Sequence, residues 1–268
     1  MADATTYQNI SNQLISNWGP IGAVCPELPN NIVPYVEGME IKGHLAARQA
    51  TRALALMRLS WGWYLNNPYG TNSTIIEGYL VDGTFGYRTG NDGNGADVSY
   101  TSHAHGWSTG PTHALSTYVL GLQLISPGGA TWMLAPQFGD LTSVEGGYTT
   151  PSGTFSARWV VGSQGYNVSY EVPGNTTGTL MLPAASSPTI MLDGKAVTSG
   201  VWNSSEGVVT LGDLGGGTHT VNVVVVVAAT TAQAGSTSQT SEKKSGTGAT
   251  KVPSIYFLCA ILLSLGFW

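Results

Sequence analysis

Charge is what this sequence has least of. Lys, Arg, Asp and Glu make up 9% of its 268 residues, against roughly a quarter in an average globular protein. A surface so poor in Lys and Glu stays in solution through neutral polar groups or attached sugar. The ten basic residues are scattered, with only Lys243 and Lys244 adjacent, so the basic patch of a nucleic-acid-binding surface is excluded. Cysteine is nearly absent. Cys25 and Cys259 make a poor disulfide pair because the second lies in an apolar tail, and Cys25 reads as a lone buried thiol. Long apolar runs are missing too: Ile255–Trp268 holds 14 residues, short of the roughly 20 needed to span a bilayer as a helix. At the other end, Met1–Thr6 lacks the basic start and apolar run of a signal peptide.

Glycine is abundant, at 36 residues, and the 8 Trp and 12 Tyr are many for so weakly charged a chain. Asn-x-Ser/Thr sequons occur at Asn9, Asn72, Asn167, Asn175 and Asn203, which together favour a glycosylated, secreted protein. Residues 229–252 are rich in Ser, Thr, Gly and Ala, the composition of a flexible, O-glycosylated stalk. Small residues around Ser245–Gly248, a polar spacer and the hydrophobic tail 253–268 match a GPI-attachment signal. The alternative is an amphipathic or buried terminal helix. GPI attachment requires entry into the endoplasmic reticulum, which this N-terminus does not encode. The expectation is therefore a secreted, cell-surface protein whose front is missing from the sequence.

Apolar spacing predicts helices over about 3–18, 35–47 and 51–65, the first N-capped by Asp3 or Thr5. Thr109-Gly110-Pro111 opens a fourth, expected to reach about Leu124. The intervening residues 69–108 are loop-like, with strand-prone pieces at 74–76 and 84–87. After Ser126-Pro127-Gly128-Gly129 the period becomes two. Phe155, Ala157, Trp159 and Val161 alternate with polar residues, as do Tyr166, Val168, Tyr170 and Val172, and Asp193-Gly194 marks a hairpin turn. The expected organisation is a helical domain over 1–126, an antiparallel β-sandwich over 127–228, the linker 229–252 and the tail 253–268.

One stretch carries candidate chemistry: Asn72-Ser73-Thr74-Ile75-Ile76-Glu77-Gly78-Tyr79, then Asp82-Gly83, then Ser102-His103-Ala104-His105-Gly106-Trp107. A carboxylate, histidines and aromatic rings on loops at helix ends can bind and cut a sugar, the carboxylate taking a proton from water. A lone loop Glu is more often simply solvated. His103 and His105 could also be two zinc ligands, but no third ligand with suitable spacing accompanies them, so neither a metal nor another cofactor is assigned.

These residues carry a resemblance. Gly43-His44-Leu45, Arg52-Ala53-Leu54, Arg58-Leu59-Ser60-Trp61-Gly62, the segment around Glu77 and, most specifically, Ser102–Thr112 resemble the α-L-rhamnosidases, fungal ones above all. The likeness covers about residues 7–225. It implies the late helices of an (α/α)6 six-hairpin barrel followed by a C-terminal β-sandwich, in an inverting hydrolase that removes α-linked L-rhamnose from plant glycosides or pectic chains. Such enzymes use two carboxyl groups. Glu77 matches the general base, His105 the sugar-contacting histidine, and His103 is the second choice for that role. Trp107, Tyr79 and Asp82 are further candidates for the sugar-site wall. The general acid has no counterpart: Glu27, Glu37 and Glu40 sit in or beside segments that match late helices. The chain alone is therefore expected to be poorly folded or inactive. Two alternatives stay open: a six-hairpin glycosidase for a different sugar, and a non-catalytic, GPI-anchored carbohydrate-binding surface protein.

Overall fold

The computed structural model of the chain describes residues 3–88, 99 and 101–224, which belong to one compact unit. The linker 229–252, the tail 253–268 and Cys259 lie outside the described residues.

The chain opens with α1 (Ala4–Leu14). Asp3 caps it by accepting a 2.7 Å hydrogen bond from the Thr6 amide, which holds its carboxyl below the usual range. Three two-residue strands follow, β1 (Trp18–Gly19), β2 (Gly22–Ala23) and β3 (Asn31–Ile32), and then α2 (Pro34–Ala46) with proline in its first turn. The helix expected over 51–65 is broken in two, α3 (Ala50–Leu59) and α4 (Trp61–Leu65), at Ser60. The strand-prone pieces at 74–76 and 84–87 form no strands. The strand lies between them, as β4 (Tyr79–Leu80), antiparallel to β3.

The helix α5 (Gly110–Ala114) runs into a π-helical stretch, Leu115–Leu120, that stops at Gly121. Gly121 has φ +90°, and a Cβ there would lie 2.4 Å from the Ala135 carbonyl carbon, so only glycine makes this turn. The expected continuation to Leu124 is therefore corrected: Leu122–Leu124 is the first strand of the sheet, β5. Packing centres on α2, which touches α1, α3 and α5. It meets α5 backbone to backbone, where a Cβ on Gly110 would come within 2.7 Å of the Gly38 Cα.

The sheet continues with β6 (Thr131–Leu134), β7 (Ser143–Thr150), β8 (Gly153–Gly162), β9 (Gly165–Pro183), β10 (Thr189–Leu192), β11 (Lys195–Ala196), β12 (Val201–Asn203) and β13 (Val208–Val224). It is one hydrogen-bonded sheet bent on itself, not two separate ones. The 19-residue β9 and 17-residue β13 pair along their length, interrupted by register shifts between Leu211 and Gly217. On one side of the break they carry β8, β7, β10 and β11; on the other, β6, β5 and β12. The β6–β9 pair is parallel, a departure from the all-antiparallel expectation.

The two halves close on a common core in which Trp132, Leu134, Phe155, Trp159, Leu180 and Val221 are essentially inaccessible. Buried rings keep their polar handles satisfied: Trp159 Nε1 donates to the Val119 carbonyl and Trp132 Nε1 to Thr176 Oγ1, both at 3.0 Å. Val161, expected inward, is 37% exposed near the end of β8. The same core includes Leu54, Leu56 and Trp61 of the helices. Gln137 Nε2 donates to the Leu45 carbonyl, and Arg58 pairs with Asp140, so helices and sheet are joined directly. Cys25 is a buried free thiol, raised in pKa chiefly by burial.

Candidate functional site

The loops that hold Glu77 and His105 are built from local hydrogen bonds. Thr71 and Thr74 share a 2.6 Å contact, and Thr74 Oγ1 then donates to the His103 carbonyl at 2.5 Å. Ile76, fully buried, anchors the first loop from below. Two backbone bonds lace the loops together: the Glu77 amide donates to the Ser102 carbonyl and the His105 amide to the Ile75 carbonyl, each at 2.8 Å. Residues 25 to 30 apart in sequence are thus held side by side. The carboxylate of Glu77 is half-buried, and its Oε2 accepts a 3.3 Å bond from the Ser102 amide. Gly78 leaves space for the Tyr87 ring, which would meet a Cβ at 2.3 Å. Burial raises the Tyr87 hydroxyl, Arg88 opposes that shift, and the charges of Glu77 and Cys25 add to it.

The two histidines differ. His103 is tied down: its Nδ1 meets the Tyr64 hydroxyl at 2.9 Å and its ring stands edge-on to Phe85. His105 is half-buried, and its ring has no hydrogen-bond partner among the described residues. His105 is therefore free to contact a ligand. Trp107, 72% exposed, leans edge-on against Tyr35 with centroids 5.4 Å apart. Asp82 is exposed and spends Oδ1 on the amide and hydroxyl of Thr84, a turn contact that lowers its pKa. Tyr79 corrects the expectation of a sugar-site wall. It is fully buried, and its hydroxyl donates to the Ile21 carbonyl at 2.7 Å. Among the described residues no three His, Cys, Asp or Glu side chains are grouped to hold a metal.

Sequence reasoning passed over two buried networks. The carboxyl of Glu37, 1% exposed, lies against the Ala23 amide (2.7 Å) and Ser60 Oγ (2.5 Å), and Ser60 Oγ lies 3.0 Å from the Tyr79 hydroxyl. Burial pushes its pKa up to about 8, with the hydrogen bonds from Ser60 and Ala23 acting the other way. Hydrogen counting favours the neutral acid. The Tyr79 proton goes to Ile21, so Ser60 can donate to Tyr79 only if Glu37 donates to Ser60. An ionised Glu37 takes the Ser60 proton and leaves two facing oxygens with none between them. Glu40 serves the second network, accepting from Trp18 Nε1 at 2.5 Å and meeting His44 Nε2 at 3.2 Å, while His44 Nδ1 contacts Ser11. Neither carboxyl opens to a site. Glu40 and His44 stand one helical turn apart, but the other partners of Glu37, Glu40 and His44 lie 14 to 33 positions away in sequence, where no local motif signals them.

The sequons also separate. Asn9, Asn167 and Asn175 are exposed, with no side-chain hydrogen bond among the described residues. The Asn72 amide donates to the Leu65 and Asn67 carbonyls, and Asn203 Oδ1 caps the turn at Ser205.

Comparison with known proteins adds the following. No curated protein sequence matches the chain. The α-L-rhamnosidase of Dictyoglumus thermophilum superposes with a TM-score of 0.56 at 14% identity, over 71% of this chain and 21% of that one. The α-L-rhamnosidase of Aspergillus terreus gives 0.52 at 18% identity, over 82% and 21%. The chain thus spans about a fifth of the length of these enzymes. Residues 121–196 match the family described as the bacterial alpha-L-rhamnosidase C-terminal domain. The chain therefore shares a fold with α-L-rhamnosidases, and its sheet carries the sequence pattern of their C-terminal domain.

Proposed function

We propose that the chain is the C-terminal part of an inverting α-L-rhamnosidase, with α1 to α5 as late helices of an (α/α)6 barrel and Glu77 as its general base. Glu77 takes a proton from water as the water oxygen attacks the anomeric carbon, and the glycosidic C–O bond breaks on the opposite face. The leaving oxygen receives its proton from a second carboxyl, which in inverting enzymes stands about 6.5–9.5 Å from the base. That acid lies outside residues 3–224 in this reading. His105 contacts the sugar, and Trp107 is a wall residue. The substrate class is a rhamnose-bearing glycoside. Placement at the cell surface through a GPI anchor rests on the stalk, the tail and the sequons.

The observation that carries the reading is the backbone lacing of the Glu77 loop to the His105 loop, through Glu77–Ser102 and His105–Ile75, in a chain whose sheet matches a rhamnosidase domain. The test uses a substrate whose departure needs no acid. In α-L-rhamnosyl fluoride the C–F bond breaks without protonation, so the base alone suffices. The expected outcome is release of fluoride with β-L-rhamnose as first product, at least about 100-fold slower in Glu77→Gln, as loss of a general base requires. Fluoride release unaffected by that substitution, or retention of configuration, defeats the assignment.

A further inference from the structure

Glu77 rides on a short segment whose hold on the fold runs largely through one side chain. Tyr79, two residues on, is fully buried, while its strand β4 makes only two rungs with β3, Asn31–Leu80 and Ile32–Tyr79. Gly78 between them leaves no slack: a Cβ there would meet the Tyr87 ring at 2.3 Å and the Ile32 carbonyl at 3.0 Å. A displacement of Tyr79 is therefore passed on to Glu77. The Tyr79 ring stacks on Trp63, with centroids 4.5 Å apart, and its hydroxyl has two polar contacts, the Ile21 carbonyl and Ser60 Oγ. Ser60 sits at the break between α3 and α4 and leads on to Glu37, which also holds the Ala23 amide of β2. One carboxyl thus ties α2 to β2, to the α3–α4 junction and, through Ser60, to the strand beside Glu77.

The direction of the protons decides whether this tie pulls or pushes. With Glu37 neutral, three protons run one way: from Glu37 to Ser60, from Ser60 to Tyr79 and from Tyr79 to Ile21. Ionised, Glu37 takes the Ser60 proton back. Ser60 Oγ and the Tyr79 hydroxyl oxygen then face each other at 3.0 Å with no proton between them, a repulsion that the dry interior screens poorly. The titratable groups that face Glu37 among the described residues are Glu40 and Tyr79. Glu40, on its own helix, raises it; Tyr79, on β4, is itself raised first by burial and then by Glu37. β2 and the α3–α4 junction offer it the Ala23 amide and the Ser60 hydroxyl, which do not titrate.

We propose that Glu37 is a positioning residue for Glu77, acting through Ser60 and Tyr79. The inference rests on Glu77 being the general base. While Glu37 keeps its proton, residues 77–79 are held from below. When the proton leaves, near pH 8, Tyr79 is pushed off and the Glu77 carboxylate moves away from the attacking water. Misplacement by about 1 Å costs on the order of 100-fold in rate. Activity is therefore held below pH 8 and falls above it. A base acting by itself gives no such fall, since once ionised it stays active as pH rises.

The test follows the full chain, isotopically labelled, with α-L-rhamnosyl fluoride as substrate, over about two pH units either side of the Glu37 transition. In the parent, the native amide resonances of Glu77 and Ser102 should move with an inflection near pH 8. Across it kcat, corrected for the folded fraction by circular dichroism, should fall about 10- to 100-fold with KM unchanged. Native resonances report folded molecules alone, so lost stability does not imitate the shift. Glu37→Gln, whose amide donates to Ser60 at every pH, should keep both resonances and kcat flat. Tyr79→Phe keeps the buried ring but cuts the tie: Glu37 still titrates, the Glu77 amide no longer follows, and kcat is low throughout. The proposal is overturned if the Glu77 and Ser102 amides ignore the Glu37 transition, or if Tyr79→Phe turns over like the parent. It is equally overturned if the amides follow the transition in Tyr79→Phe, because the charge then acts through space. Fluoride release that survives Glu77→Gln strikes the base assignment alone, and the amide shifts then decide whether Glu37 steers this loop.

Discussion

Glu37 offers a sharp test of the helical packing, because its protonation should be visible in stability. Its pKa rises from an ordinary 4.5 to about 8 in the folded chain, while the unfolded chain keeps the ordinary value. Below pH 4.5 both states hold the proton, and the neutral acid's contribution is present in full. Between pH 4.5 and 8 only the folded state holds it, so stability falls as pH rises, by about 1.4 kcal/mol per unit. The accumulated loss is on the order of 5 kcal/mol by pH 8, and it levels off above that pH. Glu37→Gln reproduces the neutral acid: its carbonyl oxygen accepts from Ala23 and its amide donates to Ser60. The variant should match the parent near pH 5 and exceed it by several kcal/mol at pH 8, within the range of burying an unpaired charge. Urea unfolding at half-unit pH steps, followed by far-UV circular dichroism, measures both. Parallel pH profiles for Glu37→Gln and the parent refute the neutral carboxyl.

Two further substitutions probe the packing of the sheet and its link to the helices. Gly178→Ala drives a methyl to within 2.1 Å of the Trp132 ring, in a core with no room to yield, and should cost about 1–3 kcal/mol or more, read as a lowered unfolding midpoint with unchanged slope. Arg58→Ala removes the pair with Asp140, whose side chains are 53% and 46% exposed. It should cost less than about 1 kcal/mol and shift the midpoint little in high salt.

Much of the fold was readable in advance because period-two and helical spacing are local. The alternation through Phe155, Trp159, Val168 and Tyr170 is what lines the core, and α2 falls within a residue of its expected bounds. What escaped reading is set by distant partners. Ser60 gives no warning that it ends a helix, since the groups holding its hydroxyl are Glu37 and Tyr79, 23 and 19 positions away. Leu122–Leu124 is too short for its alternation to compete with a helical run, and only the left-handed Gly121 marks the change. The pairing of β6 with β9 joins residues more than 40 positions apart and leaves no trace in either segment. The loop chemistry divides the same way. Residue types singled out Glu77 and His105, but Ser102 on the carboxylate, Tyr64 and Phe85 around His103, and Tyr35 beside Trp107 emerge only from the folded contacts.

The bent β9–β13 pair has a consequence for how the chain reaches and keeps its structure. Each of its two strands is central to both halves of the sheet, so neither half can be lost while the other stands, and melting is concerted. The same arrangement makes assembly slow. Gly165 must find Val224 and Pro183 must find Val208 across loops whose closure entropy is lost before any rung forms, which places folding toward the millisecond-to-second range of sheet-dominated chains. A single cut at Gly174–Asn175, in the bend, would convert a self-zippering ribbon into two fragments that must collide in solution.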